Sequence, residues 1–460
     1  MNNNLNNSLK IVTEWITQYQ NEVKNYPVMS PLKFGDILEQ LPKEPKESPE
    51  QFETIFNDFL SVIVPGITHW QHPKFFGYFP SNSSIPSLLA EMLTATLGIQ
   101  AMSWITSPAA TELEIRVMEW LRDLFSLPKS FHGVIQDSAS SSSMIAVTAA
   151  REKATKYHTN NVGLANHTLV AYCSTETHSS IEKAIKIIGI GNNNLRKIPV
   201  NQDQQMNTDA LQRCIEEDLQ NGLTPFFIAG TFGTTGSTAI DPLKAIARIS
   251  KKYDLWFHID AAYAGTALLL PEIRLLAEGI EEADSIVINP HKWLFTTFDC
   301  SALFIRNKDL LLKTFSILPE YLKDHNLQDV VNFRDWGLGL GRRFRSLKLW
   351  FVIRWYGKLG LQSLIRSHIE LGSKFEQLIK KDGRFEIAAK RQFNLVCFRL
   401  KATDEENIKL LNTINRSGKM FLTHTRLNGS IVLRAVLAQT NLTEDHVIEA
   451  WKEIQEMSCQ

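Results

Sequence analysis

Cysteine is scarce in this 460-residue sequence: Cys173, Cys214, Cys300, Cys397 and Cys459 are scattered without paired spacing. That argues against a secreted disulfide scaffold and against a zinc site, so no metal is expected. Charge of one sign is not in excess either. Lys+Arg and Asp+Glu are equal at 49 each, which points away from nucleic acid and from anionic membrane surfaces as partners. No uncharged apolar run reaches the roughly 18 residues of a membrane span. The N-terminal Met-Asn-Asn-Asn-Leu-Asn-Asn-Ser has no basic start followed by an apolar run, so a signal peptide is not expected. The nucleotide signatures GxGxxG and GxxxxGK[ST] are missing as well. Gly337-Leu338-Gly339-Leu340-Gly341 has the wrong glycine spacing and runs into Arg342-Arg343. What remains is a cytoplasmic globular protein, 44% hydrophobic, long enough for about two or three domains.

The order of patterns along the chain suggests an α/β architecture. Residues 1–8 are polar and expected to fray. Residues 11–23, with Trp15, Ile16 and Tyr19, read as an amphipathic helix. Ser48-Pro49-Glu50-Gln51 reads as a second helix start, with a capping serine, proline at the first helical position and glutamine three residues after the serine. These early helices present more apolar surface than they bury alone, which predicts an arm, residues 1–85, packed on a partner subunit. Beyond it, helical segments alternate with short apolar runs: Gly133-Val134-Ile135, Thr168-Leu169-Val170-Ala171-Tyr172, Pro225-Phe226-Phe227-Ile228-Ala229, Leu255-Trp256-Phe257-His258-Ile259 and Ser285-Ile286-Val287-Ile288. Buried parallel strands read this way, and they define a large domain at 86–340. A helix over 346–378, strand-like runs at 394–400 and 430–437, and a last helix from Thr443 predict a smaller α+β domain, 341–460.

Four features at the ends of these runs carry chemistry. Lys292 follows the run ending at Asn289, in Asn289-Pro290-His291-Lys292-Trp293. A lysine buried there loses its proton more readily and condenses with an aldehyde cofactor; the alternative is a surface lysine after a strand. Asp260, in His258-Ile259-Asp260-Ala261-Ala262-Tyr263-Ala264-Gly265, ends another run and precedes small residues that would let a flat ring approach the backbone. A carboxylate there would keep a pyridine nitrogen protonated, an interaction worth about 4 kcal/mol at ~4 Å and an effective dielectric near 20. A helix cap or a metal ligand is the alternative. Val134-Ile135-Gln136-Asp137 leads into Ser138-Ala139-Ser140-Ser141-Ser142-Ser143 and a helix. Free backbone N–H groups, the helix dipole and hydroxyls suit a phosphate, although such a run also suits a flexible loop. His178, in Thr175-Glu176-Thr177-His178-Ser179-Ser180, and Thr231, in Gly230-Thr231-Phe232-Gly233, also follow strands. The histidine would stack on a ring or serve structurally; the threonine would touch ring substituents or form a turn. Together these residues fall at one edge of a sheet, where open α/β sheets bind ligands.

Several longer segments resemble the group II pyridoxal-phosphate decarboxylases, and within them the aromatic-L-amino-acid decarboxylases. They are His69-Trp70-Gln71-His72-Pro73-Lys74-Phe75-Phe76-Gly77-Tyr78-Phe79-Pro80, Ser107-Pro108-Ala109-Ala110-Thr111-Glu112-Leu113-Glu114, the Asp260 and Lys292 segments, and Leu340-Gly341-Arg342-Arg343-Phe344-Arg345-Ser346-Leu347-Lys348-Leu349-Trp350. The resemblance implies a fold-type I enzyme with a mostly parallel seven-stranded sheet, working as a homodimer. It implies pyridoxal 5'-phosphate as cofactor, with Lys292 holding the cofactor aldehyde, Asp260 at the pyridine nitrogen, and His178 stacked on the ring and touching the substrate carboxylate. By the same resemblance Ser138 and Ala139 bind phosphate, Asn289, His291 and Ala262 lie nearby, and Thr231 approaches the ring. Tyr78, Phe79, Pro80, Ser81, Gln100, Met102 and Gly341 would form the substrate pocket. Tyr321, in Leu318-Pro319-Glu320-Tyr321-Leu322-Lys323, matches the family's loop tyrosine that protonates the carbon left after CO2 departs.

The implied reaction is the decarboxylation of tryptophan, 5-hydroxytryptophan, DOPA, tyrosine or phenylalanine to the arylalkylamine. Relatives that make aldehydes differ at the loop tyrosine or the stacking histidine, and both are retained here. Gly341 leaves room for an indole or catechol ring where some relatives carry serine, which argues against histidine as substrate. Gln100 and Met102 depart from an apolar and aromatic pair in the animal enzymes. An oxidative deaminase giving an aromatic aldehyde, and a decarboxylase of a non-aromatic amino acid, are the alternatives within the family.

Overall fold

A computed structural model of the chain describes residues 2–164, 167–317 and 330–459. By compactness it divides into two units, one of residues 1–80, 371–388 and 396–460 and the other of residues 81–370 and 389–395.

The larger unit is built on a seven-stranded sheet of β1 (His132–Gln136), β2 (Leu169–Ser174), β3 (Leu195–Ile198), β4 (Thr224–Thr231), β5 (Trp256–Asp260), β6 (Ser285–Ile288) and β7 (Ser301–Ile305). Their spatial order is β1-β7-β6-β5-β4-β2-β3. β6, β5, β4, β2 and β3 pair in parallel, and β7 lies antiparallel between β6 and β1. β1 therefore runs in the same sense as the parallel set, and six carboxyl ends share one edge. All five apolar runs expected as strands are strands. The sequence reading passed over β3, which carries charged Arg196 and Lys197, and β7, which is buried throughout.

One sequence feature sets the centre of this unit. The helix Ala139–Ala154 is capped by Ser138, whose Oγ accepts from the Ser141 N–H, and it is buried on most of its faces. It packs against the middle of the sheet in a core with Val134, Ala171, Phe227, Trp256 and Leu303. Each large side chain so buried contributes about 1.5–3 kcal/mol of transfer free energy.

The smaller unit holds a four-stranded sheet of β8 (Phe385–Ile387), β9 (Leu395–Leu400), β10 (Thr423–Leu427) and β11 (Ser430–Val436), in the order β10-β11-β9-β8. Its core includes Phe375, Phe398, Leu433 and Trp451. The Phe75-Phe76 segment is tied to this unit by main-chain bonds: Phe76 N–H donates to Phe421 O at 2.9 Å and Val436 N–H to Phe76 O at 2.9 Å. Gly77 is required there, since a Cβ would sit 2.3 Å from the Phe421 ring. The last helix, Glu444–Met457, starts after Thr443 as expected, with a capping box between Thr443 and His446 at that end.

Three local expectations are corrected. The first helix takes in residues expected to fray: it begins at Asn2, and Asn7 Nδ2 donates to Glu53 Oε1 at 3.1 Å. The second helix begins at Phe52 with Gln51 as its cap, not at Ser48 and Pro49. Trp15 packs edge-on to Phe56 and Phe59 at 6.4 and 5.0 Å, so aromatic packing rather than the proline sets the helix start. The helix expected over 346–378 spans Arg345–Lys380 but breaks at Gly357, whose φ of 61° leaves the right-handed region.

Among the described residues, no helix is long and apolar enough to cross a membrane.

Candidate active site

The sheet brings the predicted chemistry to one edge. Thr231 and Asp260 are register partners at the ends of β4 and β5, and Asp260 pairs with Val287 on β6. Just past β6, the short helix Pro290–Trp293 presents Lys292, whose N–H donates to Asn289 O at 3.0 Å. Two of the recognised segments meet below it. The Tyr263 and Trp293 rings stack 4.9 Å apart at 9°. Trp293 Nε1 donates to His368 Nδ1 at 3.0 Å, and the Tyr263 hydroxyl donates to Asn394 Oδ1 at 2.8 Å. Gly265 completes the close approach, because a Cβ would lie 2.6 Å from Ile288.

Asp260 is buried and accepts the Ala262 N–H through Oδ1 at 3.0 Å. Ala262 in turn accepts the Asn289 N–H at 3.0 Å, which locks the Asp260 turn to the Lys292 turn. Burial lowers the pKa of Lys292, with the Asp260 charge opposing the shift. Burial also lowers that of His178; Asp260 acts against this, and Lys292 and Lys183 act with it. These couplings place Lys292, Asp260 and His178 in one electrostatic field.

His178 caps the helix Ser179–Ile187. Its Nδ1 accepts the Ser180 N–H at 3.2 Å, so the neutral ring carries its proton on Nε2, as a donor. His291 is buried with its pKa pushed down to about 3, mainly by desolvation and next by Lys292. Its Nδ1 accepts the Cys300 N–H at 2.8 Å. The serine turn keeps Ser138 and Ala139 at the start of the helix Ala139–Ala154, the position at which N–H groups are left to bind an anion.

Two buried polar atoms give a fit test for a ring-shaped ligand with polar substituents. Thr231 Oγ1 and Asn289 Oδ1 have no hydrogen-bond partner among the described residues. Both follow strand ends beside Asp260, and buried orphans of this kind cost free energy unless a ligand or water meets them. An acid, an amine, an imidazole, an anion cradle and two unmet hydrogen-bonding oxygens fit pyridoxal phosphate.

The remaining predicted residues fall into two groups. The segment of Gln100 and Met102 comes together with that of Gly341, far from it in sequence: Arg342 N–H donates to Gln100 Oε1 at 3.2 Å, Ala101 N–H to Arg342 O at 2.9 Å and Arg334 N–H to Met102 O at 2.9 Å. Gly341 lines a cavity of about 420 Å³ with Asp137, Ser141, Asp299 and Arg345, which brings it beside the serine turn. Ser81 belongs to the same unit, whereas Tyr78, Phe79 and Pro80 belong to the other. Tyr78 is half exposed, has a φ of 54° and stacks on Trp70 at 5.7 Å. A non-glycine residue in that region costs about 1–2 kcal/mol. Tyr321 lies outside the described residues.

Sequence reading missed Asp241. Buried, it accepts the Thr231 N–H through Oδ2 at 2.8 Å and the Met206 N–H through Oδ1 at 2.8 Å, so it fixes the turn that carries Thr231. Nothing in Ala239-Ile240-Asp241-Pro242 announces this, because the partners are brought by the fold.

Comparison with known proteins agrees with this geometry. Residues 35–401 match the pyridoxal-dependent decarboxylase conserved domain. The chain belongs to that family. A phenylacetaldehyde synthase of Arabidopsis thaliana is 44% identical over 97% of this chain and 94% of its own length. Tryptophan decarboxylase 2 of Oryza sativa is 44% identical over 96% and 92%. The crystal structure of an Oryza sativa TDC with PLP and tryptamine superposes with a TM-score of 0.96 at 34% identity, covering 99% of this chain and 98% of that one. The fold is thus fold-type I, the cofactor is pyridoxal 5'-phosphate and the enzyme is a carboxy-lyase.

Proposed function

We propose that this decarboxylase acts on an aromatic L-amino acid and releases the arylalkylamine and CO2. The observation that carries the assignment of the site is the placement of Asp260 at the end of β5 and of Lys292 shortly past the end of the adjacent parallel strand β6, beside the unmet Thr231 and Asn289 oxygens. Pyridoxal phosphate, when bound, supplies the electron sink for the pair released as the bond from Cα to the carboxylate breaks.

The chain's own residues do the rest. Lys292, made less basic by burial, would hold the cofactor at its aldehyde carbon, its neutral amine giving up that place to the substrate amine and retaking it as the product amine leaves. Asp260 keeps a proton on the pyridine nitrogen. His178 covers the ring and donates from Nε2 to the substrate carboxylate. Ser138 and Ala139 hold phosphate with Asn289, His291 and Ala262 nearby, Thr231 approaches the ring, and Tyr321 delivers the proton to Cα. Tyr78, Phe79, Pro80, Ser81, Gln100, Met102 and Gly341 shape the pocket for the aromatic ring.

We read the working form as a cytoplasmic homodimer. Ile85, Leu89, Leu93 and Leu97 recur every four residues along one helix and are 46, 42, 47 and 58% exposed, an apolar stripe that a second copy would cover. Leu5, Leu9 and Ile55 are exposed on the arm, residues 1–85. The large domain, 86–340, and the small domain, 341–460, complete the functional division. Five free cysteines suit a reducing compartment.

The high identity to a phenylacetaldehyde synthase keeps one second reading, release of an aldehyde, ammonia and peroxide. Assay of the purified chain against tryptophan, 5-hydroxytryptophan, DOPA, tyrosine, phenylalanine, histidine and glutamate separates the two, with Lys292→Ala as control. Amine with CO2 from an aromatic acid is the expected result. Peroxide in step with CO2 would replace it with the aldehyde reading, and turnover of glutamate alone would end the aromatic assignment.

A further inference from the structure

The serine run has more hydroxyls than a phosphate cradle uses. Ser142 and Ser143 are buried in the helix behind the cradle. Ser142 Oγ lies 3.0 Å from Ser301 Oγ on β7, and Ser143 Oγ lies 3.4 Å from His258 Nε2. His258 is fully buried on β5, two residues before Asp260 and so on the same face of the strand. Its ring stacks on Phe227 at 5.8 Å and 26°. Its Nδ1 is 2.8 Å from Ser285 Oγ, at the start of the strand that leads to Lys292.

The direction of this chain of bonds is fixed at one end. Trp256 Nε1 can only donate, and it does so to Ser285 Oγ at 2.8 Å. The neutral imidazole bridges the two serines in either tautomer, one ring nitrogen donating and the other accepting, so that Ser285 and Ser143 are both held by the one ring. Burial pushes the pKa of His258 down to about 4 against the pull of Asp260, so the ring stays neutral and sets no positive charge beside Asp260 to compete with a pyridine nitrogen.

We propose that His258 is a positioning residue for the cofactor: through Ser143 and Ser285 it fixes the helix behind the phosphate cradle and the strand leading to Lys292 against the strand that ends in Asp260. It touches neither substrate nor reacting atoms. It sets the spacing between the group that holds phosphate, the group that faces the ring nitrogen and the group that binds the aldehyde. The inference rests on the assignment of Ser138 and Asp260 above.

The test is pyridoxal phosphate binding to full-length apoenzyme, followed by absorbance titration, with thermal unfolding of each apoprotein beside it. His258→Phe keeps the packing and removes both bonds; it is expected to raise Kd about tenfold. Ser143→Ala is expected to raise it several-fold, even where its apoprotein Tm falls no further than that of Phe227→Leu. The double variant is expected to bind no worse than His258→Phe, because both remove one linkage. His258→Gln, which still donates and accepts, should recover most of the affinity. Phe227→Leu thins the same layer without breaking a hydrogen bond, and should lower Tm while leaving Kd alone. Wild-type Kd for Ser143→Ala overturns the proposal, even if His258→Phe does not fold. So do multiplying effects in the double variant, or equal weakening by Phe227→Leu. Asp260→Asn is the reference: unchanged Kd and absorbance in that variant would instead remove the site assignment beneath the proposal.

Discussion

Arg342 donates through Nη2 to Glu114 Oε1 at 2.6 Å, with the two side chains only 6 and 2% exposed. The guanidinium also donates to Ile135 O at 2.8 Å and Ala101 O at 3.2 Å, and lies over the Phe333 ring at 4.8 Å. Glu114 accepts the Ile135 N–H as well, at 2.9 Å. One pair thus ties the strand before the serine turn to the segment carrying Gln100 and Met102. Removing one partner strands a buried charge, at a cost of about 3–5 kcal/mol. Glu114→Ala and Arg342→Ala should each lose that much in urea denaturation, and Glu114→Leu/Arg342→Met clearly less. Equal losses for single and double variants would show that packing, not the charge pair, holds this corner.

Thr231 is a cleaner probe of the cofactor than any charged residue. Its Oγ1 is buried and unmet among the described residues, while its N–H is already held by Asp241 at 2.8 Å. Thr231→Val exchanges the hydroxyl for a methyl of similar size. The apoprotein should be as stable as wild type or more so, since an orphaned hydroxyl is removed. Pyridoxal phosphate should bind about fivefold to tenfold more weakly, the value of one hydrogen bond. Unchanged affinity in an equilibrium titration would mean that Thr231 serves the turn alone.

How far the sequence carried these assignments depended on whether a residue announces itself locally. Lys292 and Asp260 do, because Asp260 ends one apolar run and Lys292 closely follows another, and the small or aromatic residues after each are part of the same requirement. Tyr263 and Trp293 stack, yet each reads only as part of its own segment. His258 reads only as one member of a strand, and nothing around Asp241 marks it. Their roles depend on Ser143, Ser285 and Thr231, partners that no local pattern pairs with them. β3 was missed because Arg196 and Lys197 break its apolar character. The misplaced second helix start has the opposite cause: Ser48 and Pro49 form a good local signal, but Trp15 packs against residues further along.

Tyr321 decides the product in the proposed reaction. If it delivers the proton to Cα, Tyr321→Phe should lose amine formation by about 10²–10⁴-fold. Carbon dioxide should still be released, and peroxide and aldehyde should appear in its place when oxygen is present. Simultaneous assay of amine and peroxide on the variant measures this. Undiminished amine would move the proton delivery to another group, and His178, with its Nε2 donor, would be the next to vary.

Acid should destabilise the apoprotein well before the ordinary carboxylates titrate. His72 and His258 are pushed down to about 4 and His291 to about 3, in each case mainly by burial. Unfolding returns each to near 6.5, so the unfolded chain binds protons that the folded chain refuses. The stability these neutral rings contribute is present above about pH 6.5 and is lost as pH falls toward 4. Asp241 opposes them: desolvation pushes it up to about 6, so the folded state takes up its proton first, and its contribution fades as pH rises through that value. These three histidines against this one carboxyl contribute a slope of at most about 3 kcal/mol per pH unit between roughly pH 6 and 4, with burial lowering His69, His132, His178 and His446 in the same sense and raising Glu176, Asp284 and Asp335 in the opposite one. Urea denaturation at pH 7, 6 and 5 should show midpoints falling with acid. His291→Asn keeps an acceptor for the Cys300 N–H and removes one titration, so its slope should be shallower by up to about 1.4 kcal/mol per unit. A wild-type midpoint that is level from pH 7 to 5 would mean that these rings charge without unfolding the site.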